Sequence, residues 1–153
     1  MSKITRTRMT GMKELKEKLK KVSDDMINKG GRSALRSAAN VIRKEAQINA
    51  AKIDDPTTPE RIADNLVVRW DRKTFKKTGN PAFKVGVMGG AKGGANKKQG
   101  KGGDTFYWRF LEFGTENMAA KPFMRPAMDS QQQQAIDKFV EAYKKQLDKV
   151  LKK

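Results

Sequence analysis

Apolar residues recur at helical spacing in three parts of the chain. The first is a stripe at steps of three and four residues, formed by Met12, Leu15, Leu19, Val22 and Met26. It predicts an amphipathic helix that docks on a core and ends at Gly30 and Gly31. An alanine-rich second helix is predicted from Ser33 to Ala51. A last helix is predicted from Pro126, followed by a stripe of Ile136, Phe139, Val140, Tyr143, Leu147, Val150 and Leu151.

Three further segments alternate with period two and predict strands. Leu66 to Trp70 and Phe83 to Val87 predict a hairpin with a long connection that turns at 78–81. Thr105 to Phe113 is dense in aromatic residues, which favours a third strand that ends at Gly114. The fold class is therefore α+β: a small antiparallel sheet of about three strands, packed against N-terminal helices and a long C-terminal helix.

A glycine- and lysine-rich segment at 88–104 interrupts these elements. Seven of its 17 residues are Gly and four are Lys, so it predicts a long flexible loop inside one domain spanning 1–153. The segment does not match a P-loop. Gly94 and Gly100 are separated by five residues where the motif needs four, and Lys101 is followed by Gly instead of Ser or Thr.

The net charge of +17 is large for a chain of 153 residues, so an acidic partner or nucleic acid is expected. The four lysines of the segment at 88–104 are candidate contacts to an acidic partner or to DNA: Lys92, Lys97, Lys98 and Lys101. No zinc finger, RNP pattern or helix-turn-helix is recognisable. A basic nucleic-acid-binding module therefore stands as an alternative function without a sequence motif of its own.

Composition removes several classes of chemistry. The chain has no Cys and no His, which excludes disulfides, Cys- or His-based metal sites and Ser-His-Asp triads. The adjacent carboxylates Asp54 and Asp55 belong to a predicted turn and do not face each other across a cleft. We therefore expect no enzyme and no cofactor. No stretch approaches the roughly 20 apolar residues of a membrane span, so no membrane partner is expected.

The most specific stretch joins the aromatic run to a proline-containing link. It consists of Glu112, Phe113, Gly114 and Thr115, then Pro122, Phe123, Met124, Arg125, Pro126 and Ala127. Glu112 lies among aromatic residues and needs a partner if it is buried, for which Arg109 and Arg125 are candidates. Gly114 permits a backbone turn. Phe123, between two prolines, is expected to anchor the link to the core.

This two-part motif resembles the tail-component family of long-tailed bacteriophages, the group similar to the lambda minor tail protein Z and to gene-product-ten-like head–tail joining proteins. The opening helix with Gly11 and Leu15 also resembles the family's first helix. One departure is the sequence at 63–66, where the family often has Thr-Gly before the Leu of the first strand. The motif residues are expected to serve either the fold or direct partner contact.

The resemblance implies a structural virion protein of the neck, assembled in the host cytoplasm. It implies a small α+β subunit that forms a ring, sixfold by the resemblance, which completes the tail and allows head–tail joining. Its partners would be further copies of itself, connector and tail terminator or tail tube proteins, and the DNA passing through the channel. A tail terminator ring that caps the tail tube is the alternative within the same class.

Overall fold

The computed structural model describes residues 12–88 and 101–152. The helices are α1 (Met12–Asp25), α2 (Gly31–Ala51), α3 (Ile62–Asn65), α4 (Arg72–Thr78), α5 (Trp108–Phe113) and α6 (Met124–Leu151), and a π-helical turn spans Met26–Gly30. The strands are β1 (Leu66–Trp70) and β2 (Phe83–Val87). The fold is α+β, with N-terminal helices, a long C-terminal helix and an antiparallel pair of strands.

The two N-terminal helices run into one another, so the predicted stop at Gly30 and Gly31 is wrong. Both glycines are buried and have right-handed helical dihedral angles. A Cβ on Gly30 would lie 3.2 Å from the Met26 side chain and 3.4 Å from that of Gln146 in α6. Gly30 therefore admits a close approach of α6 to the π turn and does not end a helix.

The apolar stripe of α1 is only partly covered. Met26, at its C-terminal end, is 5% exposed, but Leu15 and Leu19 are 52% and 60% exposed. The expectation that the whole stripe docks on the core is therefore wrong. The contacts of α1 concentrate on the π turn that follows it, and the first half of the helix presents its leucines at the surface.

The long helices α2 and α6 form the main packing layer. They make the most extensive contact between elements in the described part of the chain. Small residues are buried on both helices, which lets the two backbones approach closely: Ala34, Ala46, Ala50, Ala127 and Ala135. The core cluster adds Ile62, Leu66 and Phe123 between α2, α6 and the start of β1.

The predicted hairpin is confirmed, and its connection is helical. β1 and β2 are antiparallel, with Leu66 opposite Val87 and Trp70 opposite Phe83. Asp71 caps α4 by accepting hydrogen bonds from the backbone N–H groups of Lys73 and Thr74, each at 3.2 Å. Gly79, with φ of +73°, ends the helix.

The segment 105–113 does not form a third strand, so the described sheet has two strands and the expected three is wrong. Within it, Trp108–Phe113 is the helix α5. An aromatic run satisfies period two and helical spacing equally well, and packing decides between them. As a helix, the segment turns Tyr107, Trp108, Leu111 and Glu112 inward, which strand alternation could not do together.

Candidate functional site

Glu112 lies at the corner between α5 and α6, where its carboxylate caps the longer helix. The residue is 2% exposed. Its oxygens accept hydrogen bonds from the backbone N–H groups of Phe123 at 2.8 Å, Met124 at 3.0 Å and Arg125 at 3.0 Å. These donors lie at the N-cap and in the first turn of α6, and they have no partner inside the helix. A negative charge at a helix N-terminus is also favourable electrostatically.

Arg125 is the cationic partner of Glu112. Its Nε lies 3.3 Å from Glu112 Oε1, and a terminal guanidinium nitrogen donates a 2.6 Å hydrogen bond to the Glu112 backbone carbonyl. The guanidinium also lies 5.3 Å from the centre of the Phe113 ring. Arg109, the other candidate, lies over its neighbour Trp108 instead. Of the two pairings that the sequence left open, the structure therefore selects Arg125.

The pKa of Glu112 lies below its ordinary value. Burial by itself raises this pKa because it disfavours the charged carboxylate. The hydrogen bonds from the backbone of Met124, Phe123 and Arg125, and from the Arg125 side chain, act in the opposite direction and prevail. Glu112 is therefore an ionised carboxylate at neutral pH, and its charge forms part of the corner's structure.

Gly114 and Thr115 form the turn that follows α5. Gly114 has φ of +77°, and a Cβ there would lie 2.9 Å from the Met118 carbonyl oxygen and 3.0 Å from the Ala120 nitrogen. The Thr115 N–H donates a 2.9 Å hydrogen bond to the same Met118 carbonyl. Only glycine combines this backbone conformation with so close an approach. The turn brings the chain back to the start of α6.

The proline-containing link is anchored by Phe123, which is fully buried in the core cluster. Pro122, just before it, is exposed. α6 begins at Met124, so the helix starts two residues before the predicted Pro126. Pro126 stands in the first helical turn, where its missing N–H removes no intrahelical hydrogen bond. The motif residues thus converge on one corner.

The corner exposes an aromatic face, defined by Phe106, Phe110 and Phe113. These side chains are 54%, 49% and 67% exposed. They are spaced four and three residues apart, so they share one side of α5 and the turn before it. The strand interpretation grouped Phe106 with Trp108 and Phe110, and it therefore missed this face. Helical spacing was the signal that identifies it.

An apolar groove of about 510 Å³ lies beside the corner. Its walls come from α2, β2 and the start of α6, and Arg125 lines it while also facing Phe113. The apolar side chains of the groove include Leu35, Ile42, Phe83, Val85, Met124 and Met128. The aromatic face and the groove are therefore neighbouring surfaces that meet at Arg125.

The end of the glycine- and lysine-rich segment is fixed by Asn65, a residue in the stretch at 63–66 to which the sequence assigned no role. The buried Asn65 side chain donates to the Gly103 carbonyl and to the Thr105 hydroxyl, and it accepts from the Gly102 N–H, each at 2.9 Å. A Cβ on Gly102 would overlap the Arg61 carbonyl oxygen. Residues 102 and 103, at the end of the predicted loop at 88–104, are therefore bonded to the start of β1 through Asn65.

The structure describes one of the four candidate lysines. Lys101 is exposed in the turn next to Gly102. Lys92, Lys97 and Lys98 lie outside the described residues.

The acidic pair Asp54 and Asp55 lies in a turn, as the sequence predicted. Asp54 accepts hydrogen bonds from the N–H groups of Ile62 and Ala63, and Asp55 accepts two from Thr57.

Two structural features bear on broader classes of function. Across residues 12–88 and 101–152, no group of acidic side chains is arranged to hold a metal ion. Within the same ranges, none of the helices combines the length and the apolar character needed to cross a bilayer.

Comparison with known protein families gives a match over most of the chain. The family model of the HK97-gp10-like bacteriophage tail components matches residues 13–114, two thirds of the chain. The matched region contains the hairpin and ends at Gly114, immediately after Glu112 and Phe113. No curated protein and no solved structure matches the chain. The expected membership of a phage tail-component family is confirmed: the chain belongs to the HK97-gp10-like family of bacteriophage tail components.

Proposed function

We propose that the protein is a structural virion component that forms a ring at the head–tail junction. The ring completes the tail in the host cytoplasm and makes it competent to join a filled head. The observation that carries the proposal is the aromatic face of Phe106, Phe110 and Phe113 on a chain of the tail-component family. Large apolar side chains exposed together mark a protein–protein contact.

The geometry of the corner favours a rigid contact surface. Glu112 ties α5 to the first turn of α6, and Arg125 ties the end of α5 back to the same helix. The three phenylalanines are therefore presented by a backbone that is held on both sides. A preorganised surface loses less conformational entropy on assembly than a mobile one.

A ring also requires two different faces on each subunit, because head-to-tail contacts close a ring only when one face meets the other. The aromatic face presents exposed side chains, and the apolar groove lined by Leu35, Ile42 and Met128 is a concavity. These surfaces supply the two sides of a contact between copies. Lys101 and the lysines at 92, 97 and 98 are proposed to meet an acidic neighbouring ring.

Electron microscopy of particles made without this protein tests the proposal. Filled heads beside separate tails of normal length are the expected result. Overlong tails would replace it with the tail terminator function. Normal infectious particles would contradict both ring functions and favour the nucleic-acid-binding module.

A further inference from the structure

Three arginines line one cleft, which shares Phe83 with the apolar groove and lies on the side of that groove away from Arg125 by its lining residues. Arg32 and Arg36 lie one turn apart near the start of α2, and Arg69 lies on the exposed side of β1. Together with Trp70 and Phe83 they line a cleft of about 530 Å³. The cleft has no carboxylate in its lining. Within residues 12–88 and 101–152, none of the three guanidinium groups forms an ion pair.

The aromatic floor of the cleft is packed, and one of the cations lies over it. The Trp70 ring packs against Phe75 at 5.1 Å and against Phe83 at 5.2 Å between ring centres. The Arg32 guanidinium carbon lies 4.1 Å from the centre of the Trp70 ring. Stacking on tryptophan engages the face of the guanidinium and leaves its N–H edge available for an anion.

The acidic side chain next to Trp70 in the sequence is already engaged. Asp71 follows Trp70, but its carboxylate is bound by Lys84 at 2.7 Å and by the Thr74 hydroxyl at 2.6 Å. It therefore does not neutralise the arginines. Three like charges around one cleft repel one another, and a bound anion would relieve that repulsion.

We propose that this cleft binds the phosphodiester backbone of double-stranded DNA. All three cations are arginines, in a chain where 24 lysines outnumber ten arginines. A guanidinium binds phosphate through two parallel N–H groups, whereas an ammonium acts as a point charge. The net charge of +17 adds attraction at longer range. The assignment to DNA rests on the proposed position of the ring around the channel through which DNA passes.

Duplex DNA titrated against the free full-length chain tests the site. Any protein with this net charge binds DNA at low salt, so the informative quantity is a difference between matched variants. The triple variant R32Q/R36Q/R69Q removes three charges from the cleft. The control K144Q/K149Q/K152Q removes three exposed charges from the end of α6. Fluorescence anisotropy over a salt series gives the affinity and its salt dependence for each.

The cleft variant is expected to bind at least tenfold more weakly than the wild type. Its slope of log K against log salt is expected to be shallower by about 2 to 3, because each lost phosphate contact reduces the slope by about 0.9. The control is expected to lose less than threefold. Equal losses in both variants would mean that binding is spread over the surface, and would overturn the proposal. Thermal unfolding of both variants checks that the fold is intact.

A local signal comes from Trp70 itself. The chain has two tryptophans, so the variant Trp108→Phe leaves Trp70 as the only one. Duplex DNA is expected to change its emission, and poly-glutamate at equal charge is expected not to. An equal response to poly-glutamate would assign the cleft to an acidic protein and overturn the proposal. Because these measurements use the free chain, their failure leaves the ring function untouched, and normal particles without the protein would leave the cleft untouched.

Discussion

Glu112 and Arg125 are joined by hydrogen bonds that involve the side chain and the backbone of both residues. Arg125 donates its backbone N–H and its Nε to the Glu112 carboxylate, and a terminal guanidinium nitrogen donates to the Glu112 carbonyl. The carboxylate therefore caps α6 while the guanidinium caps the end of α5. These contacts tie the end of α5, which carries Phe110 and Phe113, to the first turn of α6.

Replacing Glu112 by Gln should destabilise the fold by about 1–3 kcal/mol, because the amide keeps one acceptor oxygen and turns an NH₂ group toward backbone donors. Urea unfolding monitored by circular dichroism measures the change. The matched control is Glu141→Gln, which removes an exposed pair with Lys138 and should leave the unfolding midpoint unchanged. Equal effects at the two positions would contradict the role of Glu112 as a cap.

The same carboxylate should make stability depend on pH in the acid range. The folded-state pKa of Glu112 lies below its ordinary value of 4.5, so the unfolded chain binds a proton more readily than the folded one. The stabilisation is complete above the unfolded pKa and is lost as pH falls through the folded pKa. Between pH 7 and pH 3, the free energy of unfolding should decrease more for the wild type than for Glu112→Gln. Urea unfolding at each pH measures it. An equal decrease in the free energy of unfolding for both proteins would contradict the prediction.

Alanine substitutions at three glycines distinguish the cost of a steric clash from the cost of backbone strain. Gly114→Ala should cost about 2–4 kcal/mol, since it combines positive φ with a Cβ 2.9 Å from the Met118 carbonyl. Gly79→Ala shares the positive φ but meets nothing within 4 Å, so about 1 kcal/mol is expected. Gly86→Ala has neither problem and should not destabilise the strand. Thermal unfolding of the three variants should rank them in this order, and any other order would contradict the argument.

Asn65 should be required for the end of the glycine- and lysine-rich segment. Asn65→Ala removes three hydrogen bonds and leaves the Gly102 N–H without its acceptor, which should cost about 2–4 kcal/mol. Trypsin should then cleave faster after Lys101. Asn28→Ala, at an exposed position of the π turn, should change neither quantity. Unchanged cleavage in Asn65→Ala would show that the segment is held by other contacts.

The aromatic face should matter for assembly and not for folding. Phe106→Gln with Phe110→Gln replaces side chains that are about half exposed, so the free subunit should unfold within about 1 kcal/mol of the wild type. Complementation of particles lacking the protein should fail with this double variant. Leu15→Gln with Leu19→Gln is a control of similar exposure on α1 and should still complement. Full complementation by the aromatic variant would remove this face from the proposed ring contact.

Local sequence pattern was sufficient for several elements. Alternation identified β1 and β2, the apolar stripe identified α6, and the alanine-rich stretch identified α2. Phe123 was expected in the core, and it is fully buried. These features depend on which side of one element is apolar, and a single segment of sequence contains that information.

Tertiary structure decided the features that depend on contacts between distant segments. The aromatic run fitted both a strand and a helix, and α5 forms because Trp108, Leu111 and Glu112 then reach the core and α6 together. Gly30 lies inside a continuous helical segment, and the Gln146 side chain of α6 approaches to 3.4 Å from the position its Cβ would take.

The pairing of charged residues was also decided by tertiary structure and not by local sequence. The sequence by itself determined the hairpin, the long helices and the motif that carries family membership. Only the tertiary structure selected Arg125 over Arg109 and brought Arg32, Arg36 and Arg69 to one cleft. Local patterns specify which faces are apolar, whereas the pairing of charges depends on which faces meet, and that is settled when the helices pack.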